Sequence, residues 1–219
     1  MYANRGDSVS KEQNVINYYV LCNKLKNIIR TGWKDWRVNK DRLESVAEHI
    51  YGTQMLALAM YSEYKYDIDI MKVILMLAVH ELEEIKIGDL TYFQISKEEK
   101  EKIGHKAVEE VLKSLSIKED IISLINEFDS QNTKEAKFSY YCDKLEADLQ
   151  CKIYDEEGLV DLNNQEGNIS FYNEKVQELL KKENSWSGMW MSNWQQKAGY
   201  DENFMAVSDY AKNNKITDN

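Results

Sequence analysis

Not one of the 219 residues is proline, and only nine are glycine. Proline fixes φ and removes a backbone donor, and glycine is the next most costly residue inside a helix. A chain almost free of both is suited to long, uninterrupted helices. Strand-rich folds need turn punctuation every ten residues or so, which this sequence lacks. The expected fold class is therefore all-α. The length suits one domain, read as a loose tail at 1–10, a helical domain at 11–184 and a tryptophan-containing extension at 185–219 that packs on it.

The formal net charge of −10 argues against broad nucleic-acid binding, which releases counterions from a basic surface. A small phosphorylated ligand stays open, provided that a local cation recruits it against the global field. The longest strongly apolar run, near Val73–Val79, is too short to cross a bilayer, and the polar segment Met1–Lys11 has no apolar core of the secretory type. Cys22, Cys142 and Cys151 are odd in number and form no CxxC pair, as expected of reduced residues in a soluble, cytoplasmic protein.

Apolar spacing predicts helices over Lys11–Arg30, Leu43–Tyr64 and Ile68–Ile87, the last ending at Gly88. Ser96 and Glu99 form a capping-box pattern opening a fourth helix that runs to about Leu115. Further helices are expected over about Lys118–Phe128, Lys134–Glu157 and residues 170–183. Trp186, Trp190 and Trp194, at spacing four, offer one helix face for packing onto the body or a second subunit.

Chemistry shows itself where apolar faces turn polar. The stripe Ile70, Val73, Ile74, Leu77 continues into His80, Glu81 and Glu84. Val46, Ile50, Thr53 and Met60 share a face with His49. Burying such groups without partners costs several kcal/mol each, and a divalent cation would compensate them. On the long sixth helix Asp143 interrupts the row Ala136, Tyr140, Ala147, with Glu146 and Asp148 as rivals that periodicity does not separate. His105 sits among Lys and Glu and reads as surface.

The order His49, His80 followed by an acid, then a distant Asp143 resembles the HD-domain phosphohydrolases. The stretches IIRTGW (28–33), ESVAEHIYG (44–52), HELEEIKIGDLT (80–91) and EAKFSYYCDKLEADLQ (135–150) are similar to the YfbR-like branch of 5′-deoxynucleotidases. The resemblance covers about Val15 to Glu157. It implies an HD-type helical bundle in which His49, His80, Glu81 and Asp143 hold one divalent metal (Mn, Co, Fe, Zn or Mg). It also implies catalytic roles for Glu84 and Asp89 and a substrate-phosphate contact from Arg30. A homodimer is compatible with the family.

Two departures stand out. Glu81 replaces the aspartate of the family's name, lengthening the ligand by one methylene. Thr31 follows Arg30 where characterised bacterial members carry a tryptophan that crowds the sugar; Trp33 stands two residues on. Trp33 is thus a candidate substrate-binding group, and with Trp36 equally a hydrophobic anchor. Arg30 and Asp89 also have plain readings, as a helix-terminal cation and a turn residue. The expected activity is hydrolysis of (deoxy)nucleoside 5′-monophosphates. A triphosphate hydrolase, a degenerate nucleotide sensor and a helical adaptor are the alternatives.

Overall fold

The computed structural model describes residues 9–91 and 94–217. The expected tail at 1–10 therefore lies almost entirely outside the described residues. Eleven α-helices follow one another among these residues, and the pairing outside them is an isolated antiparallel bridge between Ile29 and Ser45. No described helix is long and apolar enough to cross a membrane.

The first segment departs from expectation. Helix α1 covers Lys11–Cys22, the chain then tightens into a 3₁₀ turn over Asn23–Asn27, and Ile28–Arg30 run extended. α1 buries no residue, so nothing in its packing favours prolonging it. Leu25, by contrast, is buried in the core. Arg30 N–H donates to the Glu44 carbonyl at 3.0 Å and Val46 N–H to the Ile28 carbonyl at 2.8 Å. These two bonds lace the segment against the residues before the next long helix. A short helix α2 (Thr31–Asp35) leaves the bridge, and α3 (Val46–Tyr64) re-enters from it. α3 starts three residues later than the apolar pattern suggested, because Ser45 and Glu48 form a reciprocal capping box.

The expected helix over Ile68–Ile87 is broken. α4 spans Ile70–Val79, capped by Asp69, and α5 spans Glu84–Ile87. Between them the backbone bonds shorten to three-residue steps, Leu82 N–H to Val79 O at 3.2 Å and Glu84 N–H to Glu81 O at 3.1 Å. This tightening turns His80 and Glu81 off the end of an almost wholly apolar helix. α5 stops at Gly88, whose φ of +74° favours glycine.

Then follow α6 (Lys97–Leu112, capped by Ser96), α7 (Lys118–Ser130), α8 (Lys134–Glu156), α9 (Glu174–Glu183), α10 (Trp186–Lys197) and α11 (Glu202–Asn213). α9 begins later than expected because Asn173 caps it through Lys175 and Val176 N–H. α8 is the axis: it packs against α3, α4, α7, α10 and α11. One apolar cluster joins Val46, Met76, Val111, Leu112, Phe128 and Ala136. A second joins Ala57, Leu77, Leu145 and Phe204, and a third gathers Trp33, Trp36, Tyr154, Trp186 and Met189. The functional side chains emerge where α3, α4 and α8 meet.

Candidate metal centre

α3, α4 and α8 bring His49, His80, Glu81 and Asp143 together, with one ligand atom from each within 4.8 Å of all the others, and all four are buried. His49 Nε2 lies 3.1 Å from Asp143 Oδ1 and 3.8 Å from Glu81 Oε1; His80 Nε2 lies 3.6 Å from Glu81 Oε1 and 3.9 Å from Asp143 Oδ1. Such spacings suit nitrogen and oxygen atoms each about 2.0–2.2 Å from a common centre.

The outer atoms of both imidazoles are held. His80 Nδ1–H donates to the Leu77 carbonyl at 2.8 Å, one turn back on its own helix. Its Nε2 is buried with no hydrogen-bond partner, and burial lowers its pKa, so the ring is neutral with a lone pair facing the cluster. His49 Nδ1 contacts Glu146 Oε2 at 2.5 Å. Burial and the Arg30 charge oppose protonation of His49, but Glu146 and Asp143 outweigh them and carry its pKa up to about 10. Burial works against ionisation of Asp143, yet Lys144 and the two imidazoles hold its pKa well below the usual range. An orphaned inward nitrogen, anchored outer nitrogens and two ionised carboxylates fit a divalent ion of the nitrogen–oxygen class.

Periodicity left Asp143, Glu146 and Asp148 unresolved; the structure gives each a different place. Asp143 faces the two imidazoles, and Glu146 stands behind His49. Asp148, also buried, accepts from Tyr200 O–H at 3.1 Å. Sequence reasoning missed two further groups. Lys144, whose Nζ lies 2.6 Å from Asp143 Oδ2, was masked by being an ordinary helical lysine in sequence. Lys100 Nζ stands 3.9 Å from Glu84 Oε1 and donates to the Leu90 carbonyl.

A cavity of about 530 Å³ opens onto the cluster, bordered by Arg30, Glu84, Asp89, Lys100, Lys144 and, from the other side, Trp190. Its size is that of a small-ligand pocket. Arg30 Nη1 lies 3.4 Å from Glu81 Oε1, so the guanidinium borders the cluster. Both Glu84 carboxyl oxygens are buried without a hydrogen bond. Burial first, then the Glu81 and Asp89 charges, push its pKa well up. Asp89 Oδ2 accepts from Thr31 N–H at 2.5 Å and the Asp89 carbonyl accepts from Thr31 O–H, so it ties α2 to the residues after α5 while bordering the cavity. Trp33 is 1% exposed. Its indole N–H donates to Glu44 at 2.6 Å and its ring stacks on Trp190 at 5.2 Å. His105 is exposed and pairs with Asp129 at 3.0 Å.

The sequence model of the HD domain matches residues 22–185. The chain belongs to the HD-domain family. Among relatives, the 5′-deoxynucleotidase HDDC2 of Dictyostelium discoideum is 34% identical over 152 residues, covering 66% of this chain and 79% of that protein. The namesake from Xenopus laevis is 33% identical over 155 residues, covering 69% and 74%. A conserved hypothetical protein from Pyrococcus furiosus superposes with a TM-score of 0.57 at 27% identity, covering 76% of this chain and 94% of that one. The fold is shared with a predicted metal-dependent phosphohydrolase from Magnetospirillum magnetotacticum (TM-score 0.62, 20% identity, covering 92% and 93%). HD-domain membership and the buried histidine–carboxylate group together indicate a divalent metal ion.

Proposed function

We propose that this HD-domain protein is a metal-dependent 5′-nucleotidase releasing inorganic phosphate from (deoxy)nucleoside 5′-monophosphates. The observation that carries the reading is the buried quartet His49, His80, Glu81 and Asp143 at the floor of a nucleotide-sized cavity, with the Arg30 guanidinium at its edge. The relatives that bear the name 5′-deoxynucleotidase support the same substrate class.

In this reading the quartet would hold one divalent ion, of which Mn, Co, Fe, Zn or Mg would suit the mixed donors. When bound, such an ion supplies Lewis acidity and an acidified water. Arg30 binds the phosphate with its forked donors. Glu84 exchanges a proton with the reacting water or the departing 5′ oxygen through a carboxyl that no protein group holds. Lys100 offsets the charge around Glu84. Asp89 holds α2, and so Arg30, at the correct distance. Trp33, pinned by Glu44, backs the wall of the cavity.

Monophosphates are favoured over triphosphates because the other cations bordering the cavity are already engaged, Lys100 beside Glu84 and the Leu90 carbonyl and Lys144 with Asp143. So are those farther along the chain from Arg30. Arg37 donates to Asn164 and to the Glu166 carbonyl, Lys40 pairs with Glu157 at 2.6 Å, and Arg42 pairs with Glu48 at 2.5 Å. We place the enzyme in the cytoplasm, in keeping with three unpaired cysteines. A free nucleotide suits the −10 charge better than polymeric nucleic acid does. A homodimer fits the exposed apolar side chains Tyr51, Met55, Leu58, Met71 and Leu75 of α3 and α4.

The test is a phosphate-release screen of deoxy- and ribonucleoside mono- and triphosphates with each of the five metals. Orthophosphate from monophosphates is the expected result. Tight nucleotide binding without turnover in any metal would turn the reading into a nucleotide sensor.

A further inference from the structure

A helix that contributes to the cavity wall lies beyond the family match. The HD-domain segment ends at residue 185, and α10 begins at Trp186. Trp190, Asn193 and Trp194 of this helix border the same cavity as Arg30 and Asp143. Lys144 connects the two sides: its Nζ is 2.6 Å from Asp143 and 5.3 Å from the centre of the Trp194 ring. A ligand with its phosphate at Arg30 therefore extends against α10.

Asn193 is the unusual residue there. It is 9% exposed, yet its carboxamide makes no hydrogen bond to any described residue. Three other polar side chains of α10 are engaged within the protein. Ser187 donates to Asp155, Ser192 accepts from Lys212 at 2.6 Å, and Gln195 donates to Ser208 and Asp209. Asn193 shares the cavity border with Trp190, whose indole N–H is buried without a partner. The Asn193 carboxamide keeps its donor and its acceptor available to a ligand in the cavity. Trp190 beside it is held from behind by the Trp33 ring. Gly32 gives it room, since a Cβ there would come within 3.3 Å of Trp190 Cη2.

We propose that α10 forms the nucleobase subsite, with the Asn193 carboxamide pairing with the base edge and the Trp190 indole as the aromatic wall beside it; this rests on the nucleotidase reading above. A carboxamide offers a donor beside an acceptor. Each of the four bases presents a complementary pair on its Watson–Crick edge, with N1 and the amino group of adenine as one example. Rotation of the amide adapts it to the others. The subsite thus requires a base without choosing strongly among the four. An ionised aspartate at 193 accepts only, and guanine alone presents two adjacent donors.

The experiment compares the parent protein with Asn193→Ala and the near-isosteric Asn193→Asp. It measures kcat/KM for dAMP, dGMP, dCMP, TMP and base-free 2-deoxyribose 5-phosphate, and binding of the four nucleotides by calorimetry. In Asn193→Ala the advantage of nucleotides over the base-free ester should fall about tenfold, the scale of one lost hydrogen bond. In Asn193→Asp the ranking should turn towards dGMP by a similar factor, which a merely structural role would not produce; this variant carries the test if the alanine form fails to fold. Parental ratios in both variants would overturn the subsite and leave the nucleotidase reading standing. Absence of phosphate release from all five esters would instead remove that reading. Calorimetry then decides the subsite: weakened binding in Asn193→Ala supports it, and parental affinity, or no binding by the parent, overturns it.

Discussion

His49 Nδ1 on α3 and Glu146 Oε2 on α8 are 2.5 Å apart, although 97 positions separate the two residues in sequence. The contact fixes which ring nitrogen is left for the cluster, and outer partners of this kind raise ligand basicity. Replacing Glu146 by Gln keeps the shape but removes the charge. Metal affinity should fall by about 10–100-fold, read by chelator competition with Mn or Co, with little change in far-ultraviolet circular dichroism. Unchanged affinity would show that His49 needs no help from Glu146.

The same pair makes Gly52 a sensitive position. A Cβ at Gly52 would collide with the Glu146 carboxylate, which is already committed to His49. Gly52→Ala should therefore reproduce the metal-affinity loss of Glu146→Gln while leaving the helix itself at least as well formed, since alanine is the better helix former. Combining the two substitutions should add little, because both act through one contact. Full additivity in the chelator assay would separate them.

In the proposed mechanism Glu84 serves turnover and not metal binding. It stands outside the quartet, and its carboxyl is buried with no hydrogen-bond partner. Glu84→Gln should retain metal yet lose about 10²–10⁴ in kcat, the usual scale for a positioned acid or base. His80→Ala or Asp143→Ala should lose both metal and turnover. Parental phosphate release by Glu84→Gln would end its assignment.

Asp148 supplies a pH signature of stability. Burial pushes its pKa well up, against the opposing pull of Tyr200 and Lys144, and its Oδ1 has no partner. A carboxyl with a higher pKa folded than unfolded favours the fold below its unfolded value, about 3.9. That contribution is lost as pH rises through the folded value. Asp148→Asn, which can still accept from Tyr200, should raise Tm at about pH 8 by about 2–4 °C, equivalent to roughly 1 kcal/mol for a chain of this size. The gain should shrink towards about pH 4. A gain that instead grew on acidification would contradict the sign.

The fold class and the polar turn at His80 and Glu81 were legible because both follow from short-range pattern, whereas Asp143 was set apart from Glu146 and Asp148 only by the resemblance to HD-domain proteins. The missing prolines point to helices, and His80 with Glu81 continues an apolar stripe whichever way the backbone turns next. The break between α4 and α5 was hidden for the same reason: a tightening from four-residue to three-residue bonds leaves the stripe almost in register. The start of α3 was written in the sequence as Ser45 and Glu48, but the apolar pattern, which Leu43 extends, drew the boundary too early. The places of Glu146, Lys144 and Asn193 were not legible, because what each touches is decided by packing between helices distant along the chain. A glutamate that anchors an imidazole and one that faces solvent look alike in one dimension.

The two backbone bonds that splice Ile28–Arg30 to Glu44–Val46 have an evolutionary corollary. They hold Arg30 and the start of α3, which carries His49, on a common mount, while residues 31–43 leave it and return. Sequence drift or insertion in that excursion beyond Thr31, which Asp89 holds, would reshape the cavity wall while leaving the spacing of Arg30 and His49 in place. Diversification of substrate choice within such a scaffold is thereby uncoupled from the chemistry it serves.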